Sequence, residues 1–378
     1  MMFPEWHRTA NATAIRSPVR KATSGETSMT HGIKLEDHLE RHLKGSDAVR
    51  AAAAQAILAI ARAGCSIADL VGAGPLAGPL AAVRGESNFG DTQKELDLKA
   101  DALMIEALRS APVAVVGSEE MDEPLVLSPG APLAVAIDPL DGSSNIDTNA
   151  PIGTIFSVLP MPQDAGDASS FSAFLQRGRH QLAAGFLIYG AQTALVLTIG
   201  EGTQIFTLDR SRGNFLLTTH EVRVPEETRE YAINGSNRRH WDEAIQLYVR
   251  DCEQGRDGPR GIDFNTRWIA SMVAEAFRIL MRGGVYLYPR DARQGYGQGR
   301  LRLIYEANPI AFLMEQAGGA ATNGAKPILE ILPTSLHQRV PLVFGSREEV
   351  RRIVRYHTDP SSLAERSPLF GKRSLFRV

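Results

Sequence analysis

Apolar residues begin to recur at helical spacing at Ile33. Leu35, Leu39 and Leu43 fall on one face of LEDHLERHLKG, and Gly45 supplies a stop. The segment SDAVRAAAAQAILAIARAG predicts a second, Ala-rich helix with its cap at Ser46 or Asp47 and its end at Gly64. A Gly/Pro/Ala-rich turn region follows. The second half of NFGDTQKELDLKADALMIEALRSAP then predicts a helix with Leu98, Leu103, Ile105 and Leu108 in the core. Periodicity next switches to that of strands. PVAVVGSEE and LAVAIDPLDGSSN are apolar runs that end in carboxylates, and GTIFSVLP, LAAGFLIYG, TALVLTIG and GTQIFTLD predict an antiparallel meander. MPQDAGDASSFSAFLQRGRH between them reads as a loop.

Polarity rises in THEVRVPEETRE, which marks a domain boundary. Beyond it the pattern alternates: a strand at YAING, helices at HWDEAIQLYVR and RWIASMVAEAFRILMRGG, and a strand at VYLYP. A helix at NPIAFLMEQAGG and a strand at PLVFGS leading into a helix at REEVRRIVRYH complete it. Such alternation predicts layered α/β architecture. The expected organisation is an extension over 1–30, an N-terminal domain over 31–222, a C-terminal domain over 223–358 and a tail over 359–378. At 378 residues the chain exceeds what one core usually organises.

Composition adds mainly exclusions. Forty-one basic and 43 acidic side chains nearly cancel, which points away from nucleic acid and other polyanions. No uninterrupted apolar run approaches membrane-spanning length, since Gln55 and Arg62 interrupt the longest tract, so no membrane partner is expected. Two distant cysteines, Cys65 and Cys252, support neither a zinc site nor a disulfide framework, and a reducing cytoplasm fits. The first 28 residues, rich in Ser, Thr, Ala and Arg, read as an extension or over-early start, with an organellar transit peptide as the alternative.

Acidic clusters stand at element ends: Asp97 with Asp101, Glu119 with Glu120, Asp138 with Asp141, and Glu306. Carboxylates drawn to one pocket repel unless a cation sits among them. All-oxygen donors without a Cys or His cluster select Mg²⁺, with Mn²⁺ as substitute. DPxDG alone is a turn. In DPLDGSS, turn duty does not require the serines; Ser143 and Ser144 with the Gly142 backbone make an anion site, and the Leu140 carbonyl lies between the two aspartates. Metal beside phosphate is the apparatus of metal-assisted phosphoryl transfer. Neither GxxxxGK[ST] nor GxSxG is present, which excludes a P-loop nucleotidase and a GxSxG hydrolase.

IDPLDGSSNID followed by PIGTIFSV resembles the signature of class I fructose-1,6-bisphosphatases, in the lithium-sensitive, metal-dependent sugar phosphatase superfamily. LDLKAD, VGSEE, AAGFLIYG, RWIASMVAE, GGVYLYP, LRLIYEANPIAFLMEQAGG and LPTSLHQRVPLVFGS resemble further family blocks in family order. The resemblance implies a five-layer α/β/α/β/α fold of two mixed-sheet domains. It also implies hydrolysis of fructose 1,6-bisphosphate with two or more metal ions per subunit. Glu119, Asp138, Asp141 and Glu306 would hold the metals, with the Leu140 carbonyl, and Glu120, Asp97 and Asp101 would serve catalysis. Asp141, Gly142, Ser143 and Ser144 would bind the 1-phosphate. Asn234, Trp268, Tyr286, Leu287, Tyr288, Arg300 and Arg302 would line the sugar and second phosphate. Arg267 would reach a neighbouring subunit's pocket, which requires an oligomer, a homotetramer in this reading.

Departures from the family pattern shape two further expectations. Arg300, Trp268 and Asn237 alter the second-phosphate pocket, which keeps dual action on sedoheptulose 1,7-bisphosphate open; a non-catalytic metal- and sugar-phosphate-binding protein is the alternative from another class. Pro132 and Leu133 replace the Lys-Tyr pair of AMP-inhibited relatives, so AMP inhibition through that site is expected to be weak or lost; the loop from Met161 to His180 has no cysteine, so no thiol switch is expected.

Overall fold

The computed structural model describes residues 32–43, 47–86, 92–162 and 171–359; the N-terminal extension and all but the start of the tail lie outside them. Two helices open the fold, α1 (Leu35–Leu43) and α2 (Ala48–Ala73). The Asp47 carboxylate accepts from Arg50 N at 2.8 Å and so caps α2. The helix does not stop at Gly64 as expected. It runs on to Gly74, where φ of 53° ends it. Gly64 serves packing instead, since a Cβ there would lie 2.5 Å from Leu187 Cδ2. With its continuation to Ala77, α2 is apolar and long enough to cross a membrane by length and composition. Its Ala56, Ile57, Ile60 and Ile67 are spent on the protein core.

A short antiparallel pair, β1 (Val83–Glu86) with β2 (Thr92–Lys94), leads into α3 (Glu95–Leu108). The expected core face of α3 needs correction. Leu98 is 40% exposed and Leu103 and Ile105 are half-buried, while Leu96, Ala100, Met104 and Leu108 form the buried stripe. The inward phase turns Asp97 into the protein, where it accepts from Lys94 N at 2.6 Å.

Eight strands make the first sheet: β3 (Val113–Ser118), β4 (Leu125–Val126), β5 (Leu133–Asp141), β6 (Ile152–Pro160), β7 (Ala183–Tyr189), β8 (Thr193–Thr198), β9 (Gln204–Asp209) and β10 (Asn214–Thr219). Their order is β10-β9-β8-β7-β6-β5-β3-β4. From β5 to β10 the pairing is an antiparallel meander, as the Gly- and Thr-punctuated runs up to Asp209 predict; β10 extends it beyond those runs, and β3 lies parallel to β5. Leu133, which has no charge to offer the phosphate of AMP, is fully buried at the start of β5.

The second half holds α4 (Glu243–Glu253), α5 (Met272–Arg282), α6 (Asn308–Gln316) and α7 (Arg347–Thr358). Its strands are β11 (Glu230–Ala232), β12 (Asn265–Thr266), β13 (Val285–Tyr288), β14 (Leu301–Arg302), β15 (Ala320–Thr322), β16 (Arg339–Val340) and β17 (Leu342–Gly345). Five form a mixed sheet in the order β12-β11-β13-β17-β15, and β14 pairs with β16. The helix expected from Arg267 begins only at Met272. Arg267 N is bonded to Tyr231 O at 2.8 Å, and Ser271 caps the helix at Ala274 N.

Among the described residues three large cores lie between the five layers, and a smaller cluster gathers around Phe174 and Tyr305. The first lies between α1–α3 and one face of the eight-stranded sheet, through Ile60, Leu96, Val135 and Leu187. In the second, the opposite face, with Ile155, Phe186 and Val196, packs on α5 and α6, which also meet Tyr286 and Phe344 of the second sheet. The third holds Tyr231, Val285, Leu287 and Val343 against α4 and α7. Along β13 the period of two sends Tyr286 inward and Val285 and Leu287 outward.

Candidate metal and phosphate site

The site forms where three strand or helix ends meet. Asp138 and Asp141 are three apart, so a regular strand would send them to opposite faces. Against β6, however, Asp138 pairs with Ile155 and Asp141 with Gly153. Three steps on one strand against two on the other make a bulge, and the bulge cancels the alternation. Glu119 follows β3 and stays in register through Glu119 N to Ile137 O at 3.0 Å. Glu306 comes from a π-helical turn, Leu303–Ala307, that precedes α6.

Carboxylate oxygens of Glu119, Asp138 and Glu306 all lie within 4.8 Å of one another. Asp138 and Glu306 are buried. Burial first, then repulsion from Glu119, pushes both carboxyls well above the usual range. Asp141 is buried as deeply and rises only to about 6, driven by desolvation. Its Oδ2 accepts from Ser271 Oγ and from Val273 N, each at 3.0 Å, at the N-terminus of α5, and these bonds favour its charge. One oxygen of Asp141 is thus committed to the start of α5.

Arg302 is nearly fully buried, and its Nε lies 3.7 Å from Glu119 Oε1 while its backbone N–H donates to Glu306 Oε2. It therefore stands at the carboxylate end, not with Arg267 and Arg300 where the sequence grouped it. The catalytic candidates lie alongside. Burial raises the Asp97 carboxyl to about 7, with Glu120 adding repulsion. Asp101 accepts from Ser118 Oγ at 2.5 Å, and that hydroxyl also takes Glu120 N–H at 3.3 Å. Burial raises Asp101 as well.

Gly142 has φ of 79°, which favours glycine, and a Cβ there would meet Ser271 Cβ at 3.1 Å. Ser143 is half-buried and Ser144 exposed in the short 3₁₀ turn that follows. Of the expected sugar and second-phosphate residues, Trp268 stacks on Tyr286 with centroids 5.9 Å apart, and Tyr288 hydrogen-bonds Arg300. The Asn234 side chain accepts from Ser236 at its own turn. Arg267 is exposed and 3.5 Å from Glu230. Leu287 differs from expectation: its side chain faces the outer core, turned away from Tyr286 and Tyr288 by strand alternation.

Sequence reasoning missed Gln93, whose Nε2 donates to Glu120 Oε2 at 2.6 Å, and Ser118 and Ser271, which orient acidic partners. Ser271 alone carried a signal, as a capping residue before an apolar helix. Gln93 carried none, because its partner is remote in sequence.

Residues 42–220 match the family described as fructose-1-6-bisphosphatase, N-terminal domain, and residues 224–358 match its C-terminal domain. The chain belongs to the fructose-1,6-bisphosphatase family. A class 1 fructose-1,6-bisphosphatase of Nitrobacter hamburgensis is 53% identical over 351 residues, 93% of this chain and all of that one. Those of Rhizobium meliloti and Acidiphilium cryptum are 55% and 56% identical, covering 92% of this chain and 99% and 97% of theirs. Among solved structures, the holo form of Leishmania major fructose-1,6-bisphosphatase aligns with a TM-score of 0.80 at 32% identity. That alignment covers 86% of this chain and 99% of that one, so the mixed α/β layering is that of fructose-1,6-bisphosphatases.

Proposed function

We infer that this fructose-1,6-bisphosphatase hydrolyses fructose 1,6-bisphosphate to fructose 6-phosphate and inorganic phosphate with the help of divalent metal ions. The observation that carries the reading is the approach of the Glu119, Asp138 and Glu306 oxygens within 4.8 Å of one another in a family member. Two oxygens bound to one Mg²⁺ at about 2.0–2.1 Å are at most about 4.2 Å apart, so oxygens within 4.8 Å of one another need only a small inward shift to close on one ion. The set is all oxygen, which favours Mg²⁺, with Mn²⁺ as substitute, and two or more ions per subunit. Glu119, Asp138, Asp141 and Glu306 are the ligands proposed, with the Leu140 carbonyl. Bound there, the ions supply charge neutralisation at the phosphate and acidify water.

The chain's own groups do the rest. Asp97 and Glu120 orient and deprotonate the attacking water, and an Asp97 carboxyl near 7 suits a group that trades protons at neutral pH. Asp101 and Gln93 hold Ser118 and Glu120 in place. Gly142, Ser143 and Ser144 receive the 1-phosphate, and Arg302 balances charge beside Glu119. Asn234, Tyr288, Arg300 and a partner subunit's copy of Arg267 receive the second phosphate, whose binding positions the first. A cytoplasmic homotetramer completes the reading.

The test is phosphate release from fructose 1,6-bisphosphate and sedoheptulose 1,7-bisphosphate, each with Mg²⁺ and with EDTA. Magnesium-dependent release from the first is expected. Release from neither by folded protein would sink the catalytic reading. Equal rates on both would make the enzyme a dual phosphatase.

A further inference from the structure

The loop from Pro289 to Arg300, PRDARQGYGQGR, gathers two arginines on one tyrosine. The Arg293 guanidinium carbon lies 4.4 Å from the Tyr296 ring centroid and that of Arg300 lies 4.7 Å from it. The two cations are not equivalent. Arg293 Nε is 3.1 Å from both Asp291 oxygens, so a carboxylate already answers its charge. Among the described residues Arg300 makes no ion pair; its guanidinium meets the ring and the Tyr288 hydroxyl, and its backbone carbonyl accepts from Arg302 Nη1 at 3.4 Å. A ring face attracts a guanidinium without neutralising it. Arg300 is thus held in place with its charge still available to an anion.

The backbone on either side is built to keep it there. Tyr296 N bonds Arg293 O at 3.0 Å, Gly299 N bonds Tyr296 O at 3.0 Å, and Ala292 N ties the loop to His240 O at 2.9 Å. Gly299 has φ of 83°, and a Cβ on it would come within 2.3 Å of the Val340–Pro341 backbone. The chain just before Arg300 is therefore pressed against its neighbour, and the Tyr296 ring, with the Tyr288 hydroxyl, limits the remaining freedom of the side chain.

We propose that Tyr296 is a positioning residue that pre-orients the Arg300 guanidinium for the second phosphate of the substrate. This rests on the reading of Arg300 as a second-phosphate ligand. A long, unsupported arginine must surrender rotamer freedom on binding, and a pre-oriented one surrenders less. Loss of the ring therefore weakens binding of the bisphosphate while leaving the chemistry at the first phosphate alone.

The experiment compares Tyr296→Phe, Tyr296→Leu and Arg300→Ala on fructose 1,6-bisphosphate and on fructose 1-phosphate, which lacks the second phosphate. For Tyr296→Leu, KM for the bisphosphate rises about five-fold with kcat within two-fold, the range expected for one cation–ring contact. Tyr296→Phe stays within two-fold, and fructose 1-phosphate hydrolysis is unchanged in both. A series of increasingly fluorinated phenylalanines at 296 keeps the shape and weakens the ring's negative face, so KM climbs along it. If Arg300→Ala raises KM but Tyr296→Leu or the fluorinated series leaves it flat, the positioning role is overturned. If Arg300→Ala itself leaves KM unchanged, the underlying reading of Arg300 falls instead.

Discussion

Replacing Asp138 by Asn should make the metal-free protein more stable than wild type while abolishing its response to Mg²⁺. Two charged oxygens 4.8 Å apart repel by about 3.5 kcal/mol at an effective dielectric of 20. Asp138 faces two such partners, Glu119 and Glu306. Protonation relieves part of that repulsion, which leaves a gain of about 2 kcal/mol for an uncharged isostere. Asn keeps the acceptor that receives Leu140 N–H at 3.0 Å, so little structure is lost. The assay is urea unfolding at pH 8 and fixed protein concentration, in EDTA and in excess MgCl₂. Wild type should be the less stable in EDTA and gain on adding Mg²⁺, by several kcal/mol where Mg²⁺ greatly exceeds its dissociation constant. Asp138→Asn should gain little, and its phosphatase activity should fall by about three orders of magnitude. A variant less stable than wild type in EDTA, or one with an undiminished Mg²⁺ response, would refute the cluster as a repulsive, cation-requiring site.

Three further outcomes follow from other parts of the molecule. Asp97→Asn should lower kcat by about 10²–10⁴-fold while Mg²⁺ stabilisation persists, which separates a proton-handling group from a ligand in one steady-state and one melting experiment. His38 is buried against Phe206, and burial, then the positive charge of His42, His220 and Arg41, lowers its pKa from 6.5 to about 4. A base whose folded pKa is depressed binds protons better unfolded, so its stabilising effect is complete above pH 6.5 and is lost as pH falls towards 4. The loss is at most about 3 kcal/mol, and His38→Phe should flatten the stability–pH curve over that window. Gly153→Ala would set a Cβ 2.1 Å from Leu187 O, so β6 must part from β7 beside Asp141, and denaturation should show a loss of about 3 kcal/mol or more.

Much of this protein was legible from sequence because the information is local. Strand runs from Leu133 to Asp209 are bounded by their own turn residues, and the meander then follows from short connections. Asp138, Asp141, Gly142 and the serines are contiguous, so one motif carries both a metal-seeking and an anion-seeking group.

The tertiary structure decided what depends on partners far along the chain. Helix α2 passes Gly64 because Leu187, on a strand not yet made, occupies the space a side chain would take. The inward face of α3 is set by Asp97 and Asp101 turning to Lys94 and Ser118, against the preference of Leu98 for burial. The bulge in β5 exists only against β6. Arg302 and Arg300 are two apart in sequence, yet one is sealed beside Glu119 and the other stands on Tyr296, because β14 begins at Leu301 and leaves Arg300 in the preceding loop. Local spacing determines which groups the chain can offer; packing free energy, gathered from distant residues, determines which of them meet.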